Sequence, residues 1–190
     1  VFGYTGKSVA NDMVFQGLKR LEYRGYDSWG IAVNNDGKIQ MFKDIGEIQE
    51  REGLKELPQT TTAIGHTRWA THGGVTVNNA HPHMSTDDEF TLVQNGIVEN
   101  FSQLKTKLEK QGYKFTTQTD TEVIVKLIEE QLKTTADFEI AVKKAFKLLE
   151  GRNTIAILRT NGDILAVRNG SPLVIGKGKD GIFLASDSLS

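Results

Sequence analysis

Short apolar stretches open and close the chain, and helical periodicity fills the middle. Val1-Phe2-Gly3-Tyr4 is apolar and strand-like from its first residue. Val9, Met13, Val14, Leu18 and Leu21 recur at helical spacing, with Ser8 as the expected cap. Residues 29–33 and 39–42 flank the turn sequence Asn34-Asn35-Asp36-Gly37 and predict a hairpin. A charged stretch over 47–57, closed by Pro58, predicts a further helix. Thr62-Ala63-Ile64 and Phe90-Thr91-Leu92-Val93 are short buried strands. Phe101, Leu104 and Leu108 mark one face of a helix ended by Gly112. Thr119-Asp120-Thr121-Glu122 starts the next, whose stripe is Val123, Ile124, Leu127, Ile128 and Leu132. A third runs from Phe138 to Leu149 and is closed by Gly151. Two more strand pairs follow, 154–158 with 164–167 around Asn161-Gly162, and 173–175 with 182–185. Strands, then helices, then hairpins predict an α+β layer fold with antiparallel sheets.

Composition narrows the picture without adding a function. At 190 residues the chain fits one domain, residues 1–190, with room for a substantial core. A net charge of −1 gives no electrostatic case for nucleic acid or an anionic membrane. No apolar run approaches the roughly 20 residues of a membrane span, and no signal segment opens the chain. A cytoplasmic protein is expected. The absence of cysteine excludes disulfides and cysteine-based metal sites within these residues.

Candidate chemistry concentrates in three polar clusters, 65–74, 79–83 and 94–100, which hold all four histidines. Arg68, beside Trp69 and Thr71 at a strand end, suits a carboxylate, because a planar guanidinium offers two parallel hydrogen bonds; a structural ion pair is the plainer role. Asp120 can bind an ammonium group or simply cap its helix. Asn95-Gly96 is either a turn or an oxyanion hole made of an amide and a backbone N–H. His66, His72, His81 and His83, with Asp87-Asp88-Glu89, raise a metal site, but no helical ligand spacing supports it and Arg68 would repel a cation; no metal is expected. A nucleophile is missing: there is no Gly-x-Ser-x-Gly elbow, and Ser28 and Ser85 have no special context. The residues alone stop at an amino-acid or amide pocket.

Six segments together resemble one family. Leu21-Glu-Tyr-Arg-Gly-Tyr-Asp-Ser28, His66-Thr-Arg-Trp-Ala-Thr-His-Gly73, Asn79-Ala-His-Pro-His83, Asn95-Gly-Ile-Val-Glu-Asn100, Thr119-Asp-Thr-Glu122 and Ser171-Pro-Leu-Val-Ile-Gly176 are similar to the glutaminase domain of the glutamine–fructose-6-phosphate aminotransferases. The resemblance covers nearly all 190 residues. It implies the N-terminal-nucleophile hydrolase fold, a four-layer α/β/β/α sandwich, and hydrolysis of the L-glutamine amide without a cofactor. The family's nucleophile is an N-terminal cysteine in the opening Cys-Gly-Ile-(Val/Phe)-Gly. Val1-Phe2-Gly3 matches its last three positions, so Cys-Gly is expected just ahead of Val1. Carried over, Arg68 binds the substrate carboxylate with Trp69, Thr71 and His72, and Asp120 with Gly96 holds the ammonium. Asn95 and Gly96 form the oxyanion hole, Arg24 supports the nucleophile, and His81 supports the site. Trp29, where the family has a small residue, and Gln94, often histidine there, are departures expected to alter the pocket. The family also implies a following sugar-phosphate isomerase domain, not present in these residues, and homo-oligomeric assembly. The alternative is a glutamine-binding module without catalysis.

Overall fold

Strand alternation sorts the apolar side chains into three separate cores, and three cores require four layers. The computed structural model describes residues 1–48 and 52–187. One sheet has six strands, β1 (Phe2–Gly6), β2 (Ser28–Asn35), β3 (Lys38–Ile45), β4 (Thr62–Arg68), β9 (Val174–Lys177) and β10 (Gly181–Ala185). Their order is β3-β2-β4-β1-β10-β9. The other has four, β5 (His83–Met84), β6 (Phe90–Gly96), β7 (Asn153–Arg159) and β8 (Ile164–Asn169), in that order. Every pairing is antiparallel.

Helix α1 (Ala10–Leu21) covers the outer face of the six-stranded sheet. It buries Val14, Phe15 and Leu18 with Phe2, Ile31 and Val33. Helices α2 (Phe101–Lys110), α3 (Asp120–Leu132) and α4 (Phe138–Phe146) cover the other sheet, where Val123, Ile124 and Ile128 meet Phe90, Leu92, Ile155 and Ile157. Between the sheets lies a thinner core of Val1, Ala32, Ile64, Val93, Ala156, Leu158 and Leu184. Each fully buried aliphatic side chain contributes about 1.5–3 kcal/mol. This is the α/β/β/α sandwich the resemblance implies.

Most elements fall where the pattern puts them, with local differences. The β2–β3 turn is tighter than expected, with Asp36 at φ 48° and Gly37 at φ 82°, the paired positive values of a two-residue hairpin. Val9, not Ser8, occupies the cap position of α1, and no side chain caps it. The stretch 47–57 shows only a 3-10 turn at Glu52–Glu56, residues 49–51 lying outside the described residues. Gly53 breaks helical propensity there, and Ile48, Leu54 and Leu57 are drawn individually into the core under α1. Trp29 pairs across β2–β4 with Thr67 of the first polar cluster, but its ring packs away into the core. It faces α1, buried between Phe15 and Phe42 at ring distances of 6.0 and 5.3 Å.

Candidate active site

At one end of the gap between the sheets, β4 and β6 finish side by side and open a cleft of about 230 Å³. Alternation decides what faces it. Ile64 belongs to the inter-sheet core, so His66 and Arg68 share its side of β4; Val93 does likewise, so Asn95 shares its side of β6. Arg68, Trp69, Thr71, His72, Asn95, Gly96 and Asp120, seven residues singled out from sequence, all line this cleft. His81 lines it as well.

Arg68 is buried, and its guanidinium turns inward on its own loop. It donates to the carbonyls of His72, Gly73 (3.3 Å) and Gly74 (3.2 Å). Of its five N–H groups, two remain without a partner among the described residues. Burial lowers its pKa, and the Asp27 and Asp120 carboxylates act against that shift. The loop is fixed from the far side too: Asn79 donates to the Gly74 carbonyl at 3.0 Å, and its own carbonyl oxygen accepts from Gln118 N–H at 3.0 Å. Trp69 stands 60% exposed at the rim, edge-on to Tyr26 with ring centroids 5.6 Å apart. Arg24 closes a 3-10 turn at Glu22–Arg24, near this rim through the Asp27 N–H to Arg68 carbonyl bond of 3.1 Å. Its side chain lies outside what the structure describes.

Asp120 is not the cap of its helix. Thr119 takes that position and accepts from Glu122 N–H. Freed from capping, the buried Asp120 carboxylate accepts from Val98 N–H at 2.8 Å and faces the cleft at a helix N-terminus, where the backbone dipole favours negative charge. Asn95-Gly96 is not a hairpin connector either. β6 ends there and the chain runs on into α2, while Gly96 adopts φ +138° with the Arg152 carbonyl oxygen 2.1 Å from where a Cβ would stand. Only glycine fits.

The histidines gather without converging on a common point. His66 stacks on His81 at 4.3 Å, and His81 meets His83 edge-on at 4.8 Å. The His81-Pro82 peptide is cis, and the His81 carbonyl crosses over Gly30, where a Cβ would stand 2.2 Å from it. His81 Nδ1 accepts from Gln94 N–H at 3.2 Å, and its Nε2 meets the Thr121 hydroxyl at 3.1 Å. His83 Nε2 meets the Thr119 hydroxyl at 3.2 Å. Among the described residues no group of three or more His, Cys, Asp or Glu is placed to hold a metal ion. Burial holds all three histidines well below their ordinary 6.5, reinforced at each by the Arg68 charge and at His66 and His81 by neighbouring histidines. Lys43 bolts this segment down, donating to the carbonyls of Asn78 (3.3 Å), Ala80 (2.7 Å) and Pro82 (3.1 Å). Burial takes its pKa down to about 8, although the Glu122 carboxylate favours the charge.

Sequence reasoning missed four supports of the cleft: Lys43, Gln118, Thr121 and Asn153. Each is an ordinary polar residue within a strand, loop or helix, and only the fold brings it to the clusters. Gln94 was singled out as a departure, and it does lie in the cleft lining.

The comparisons with known proteins agree with this geometry. Residues 66–189 match a family model described as a glutamine amidotransferase domain. A glutamine–fructose-6-phosphate aminotransferase of Pseudomonas aeruginosa is 48% identical over 195 residues, covering 100% of this chain and 32% of that protein. Its Pyrococcus horikoshii counterpart is 46% identical over 192 residues, covering 98% of this chain and 32% of the relative. The chain therefore spans about a third of the length of these relatives. Among solved structures, the glutamine phosphoribosylpyrophosphate amidotransferase of B. subtilis, complexed with ADP and GMP, superposes with a TM-score of 0.84 at 28% identity, over 97% of this chain and 41% of that one. A structure titled the allosteric regulatory enzyme of purine biosynthesis gives 0.85 at 31% identity, with the same coverage. No helix among the described residues is long and apolar enough to cross a membrane. With the sandwich shared and every cleft residue inside the matched region, the chain belongs to the glutamine amidotransferase domain family.

Proposed function

We propose that this chain is the glutaminase part of a longer glutamine–fructose-6-phosphate aminotransferase, releasing ammonia from the side-chain amide of L-glutamine for transfer to fructose 6-phosphate by a second, covalently linked domain. The convergence of a buried cation, a buried carboxylate and the Asn95-Gly96 pair on one cleft carries this reading. Arg68 takes the substrate carboxylate through its two remaining donors, with Trp69, Thr71 and His72 around it. Asp120 takes the ammonium. The scissile amide then points to Asn95 and Gly96.

Strand register supports a nucleophile carried two residues ahead of Val1. Phe2 pairs with Gly65, so continuing β1 backwards sets that residue opposite Arg68. It also shares the facing of Val1, which belongs to the inter-sheet core, so its side chain is directed into the gap that holds the cleft. A thiol there gives up its proton to the free α-amine of the same residue as its sulfur attacks the amide carbon. The oxyanion that forms is met by the Asn95 amide and Gly96 N–H, worth about 3–4 kcal/mol per donor. Ammonia leaves with the transferred proton, and water cleaves the resulting thioester to glutamate. Pure binding does not need the oxyanion pair, which favours an enzyme over a binding module.

The test is release of ammonia from L-glutamine by the full-length protein, before and after treatment with a thiol-alkylating glutamine analogue. Turnover abolished by the analogue is expected. Turnover by a form whose sequence starts at Val1 would overturn the mechanism.

A further inference from the structure

Asn95 and Gly96 sit between two residues that are each tied down, and every hydrogen bond in the ties has a defined direction. On the near side, Gln94 N–H donates to His81 Nδ1 at 3.2 Å, which leaves the ring proton on Nε2. That Nε2–H faces the Thr121 hydroxyl at 3.1 Å, and Thr121 in turn donates to Gln94 Oε1. The ring closes: Gln94 backbone to His81, His81 to Thr121, Thr121 to Gln94 side chain. From the other end of the same amide, Gln94 Nε2 donates to Asn153 Oδ1 at 2.7 Å, and Asn153 Nδ2 donates to the Ile97 carbonyl at 3.2 Å. Residue 94 is held on one side of the pair and residue 97 on the other. All four side chains involved are buried. A buried network with every partner satisfied is rigid, and opening it at one point leaves polar groups unpaired.

We propose that Gln94, Thr121 and Asn153 are positioning residues that clamp the Asn95-Gly96 segment from both ends, with His81 closing the ring. The inference rests on the glutaminase reading of the cleft and adds to it what aims the oxyanion donors. Gln94 Nε2 also stands 3.5 Å from Asp120 Oδ2, so variants of Thr121 and Asn153 separate the clamp from substrate binding more cleanly than variants of Gln94.

The test uses the full-length protein with Thr121→Val, Asn153→Ala and the double variant. Misplacing oxyanion donors by about 1 Å costs up to about a hundredfold in rate. Each single variant is expected to lower kcat about ten- to a hundredfold, with KM for glutamine moving far less. The double variant is expected to lose little more than the worse single, because either cut already releases the clamp. Thr121→Ser, which keeps the hydroxyl, is expected to restore kcat. Multiplying losses, KM rising in step with kcat falling, or kcat unchanged in an active protein would each overturn the clamp while leaving the glutaminase reading intact. Wild-type protein that releases no ammonia overturns both. Independently of activity, imidazole ¹⁵N spectra should show His81 protonated at Nε2 alone and altered by Thr121→Val; protonation at Nδ1 overturns the ring.

Discussion

Acid should destabilise this protein through three histidines as pH falls below their ordinary value. His66, His81 and His83 pack against one another and are buried, and burial first lowers each pKa, helped at all three by Arg68, at His66 by the terminal amine, and at His81 and His83 by Lys43. The sign follows from linkage. Their folded pKa values lie below the ordinary 6.5 of the unfolded chain, so the unfolded state binds more protons, and stability that is complete above 6.5 is lost as pH falls below it. At about pH 5.5 a histidine neutral only in the folded state costs on the order of 1 kcal/mol, and three together cost a few kcal/mol. That is a large share of the roughly 5–15 kcal/mol of a typical domain. Carboxylates with ordinary values near 4 contribute little in this range. Urea unfolding at about pH 7.5, 6.5 and 5.5 should show a slope that steepens toward three protons at the acid end, and His83→Gln should reduce it by about a third. A slope of one proton or less would refute the reasoning, as would any of the three titrating near 6.5 by NMR.

Three further outcomes follow from single contacts. Gly96→Ala forces a Cβ to within 2.1 Å of the Arg152 carbonyl oxygen at φ +138°, so thermal unfolding should show a loss of at least about 1–3 kcal/mol and kcat should fall with it. Lys43→Met removes the donor shared by the carbonyls of Asn78, Ala80 and Pro82; denaturant unfolding should register about 1–3 kcal/mol, and an unchanged midpoint would deny Lys43 its bolting role. Asp120→Asn keeps an acceptor for Val98 N–H but removes the charge, so glutamine KM should rise about ten- to a hundredfold at unchanged melting temperature.

The layers were legible because period-2 and period-3.6 patterns follow from which face is buried, and burial here is nearly complete on three cores. The cleft residues were legible because Arg68, Asp120 and Asn95-Gly96 carry groups a core does not use. What escaped was context. Asp120 could be freed from capping only because Thr119 caps instead, a choice between neighbouring residues that propensity does not make. Trp29, beside motif residues and in a place where the family has a small residue, was expected to alter the pocket; alternation along β2 turns its ring toward α1. Lys43 and Asn153 gave no signal at all, since their partners lie 35 or more residues away.

Alternation also explains how β6 serves two layers with adjacent residues. Leu92 faces the helices with Phe90, Val93 faces the other sheet, and the pattern carries on past the apolar run to Gln94 and Asn95. Both line the cleft, Gln94 from the helix side, where it meets Thr121 of α3, and Asn95 from the side shared with Val93. A one-residue slip of β6 against β7 would exchange their facings, turning the Asn95 amide toward the helices and the Gln94 amide toward the other sheet. Register is pinned at Gly96, which pairs with Asn153 and tolerates no side chain, and Asn153 is the residue that ties Gln94 to Ile97. The glycine proposed to offer its N–H to the oxyanion thus also fixes the strand that aims its neighbour.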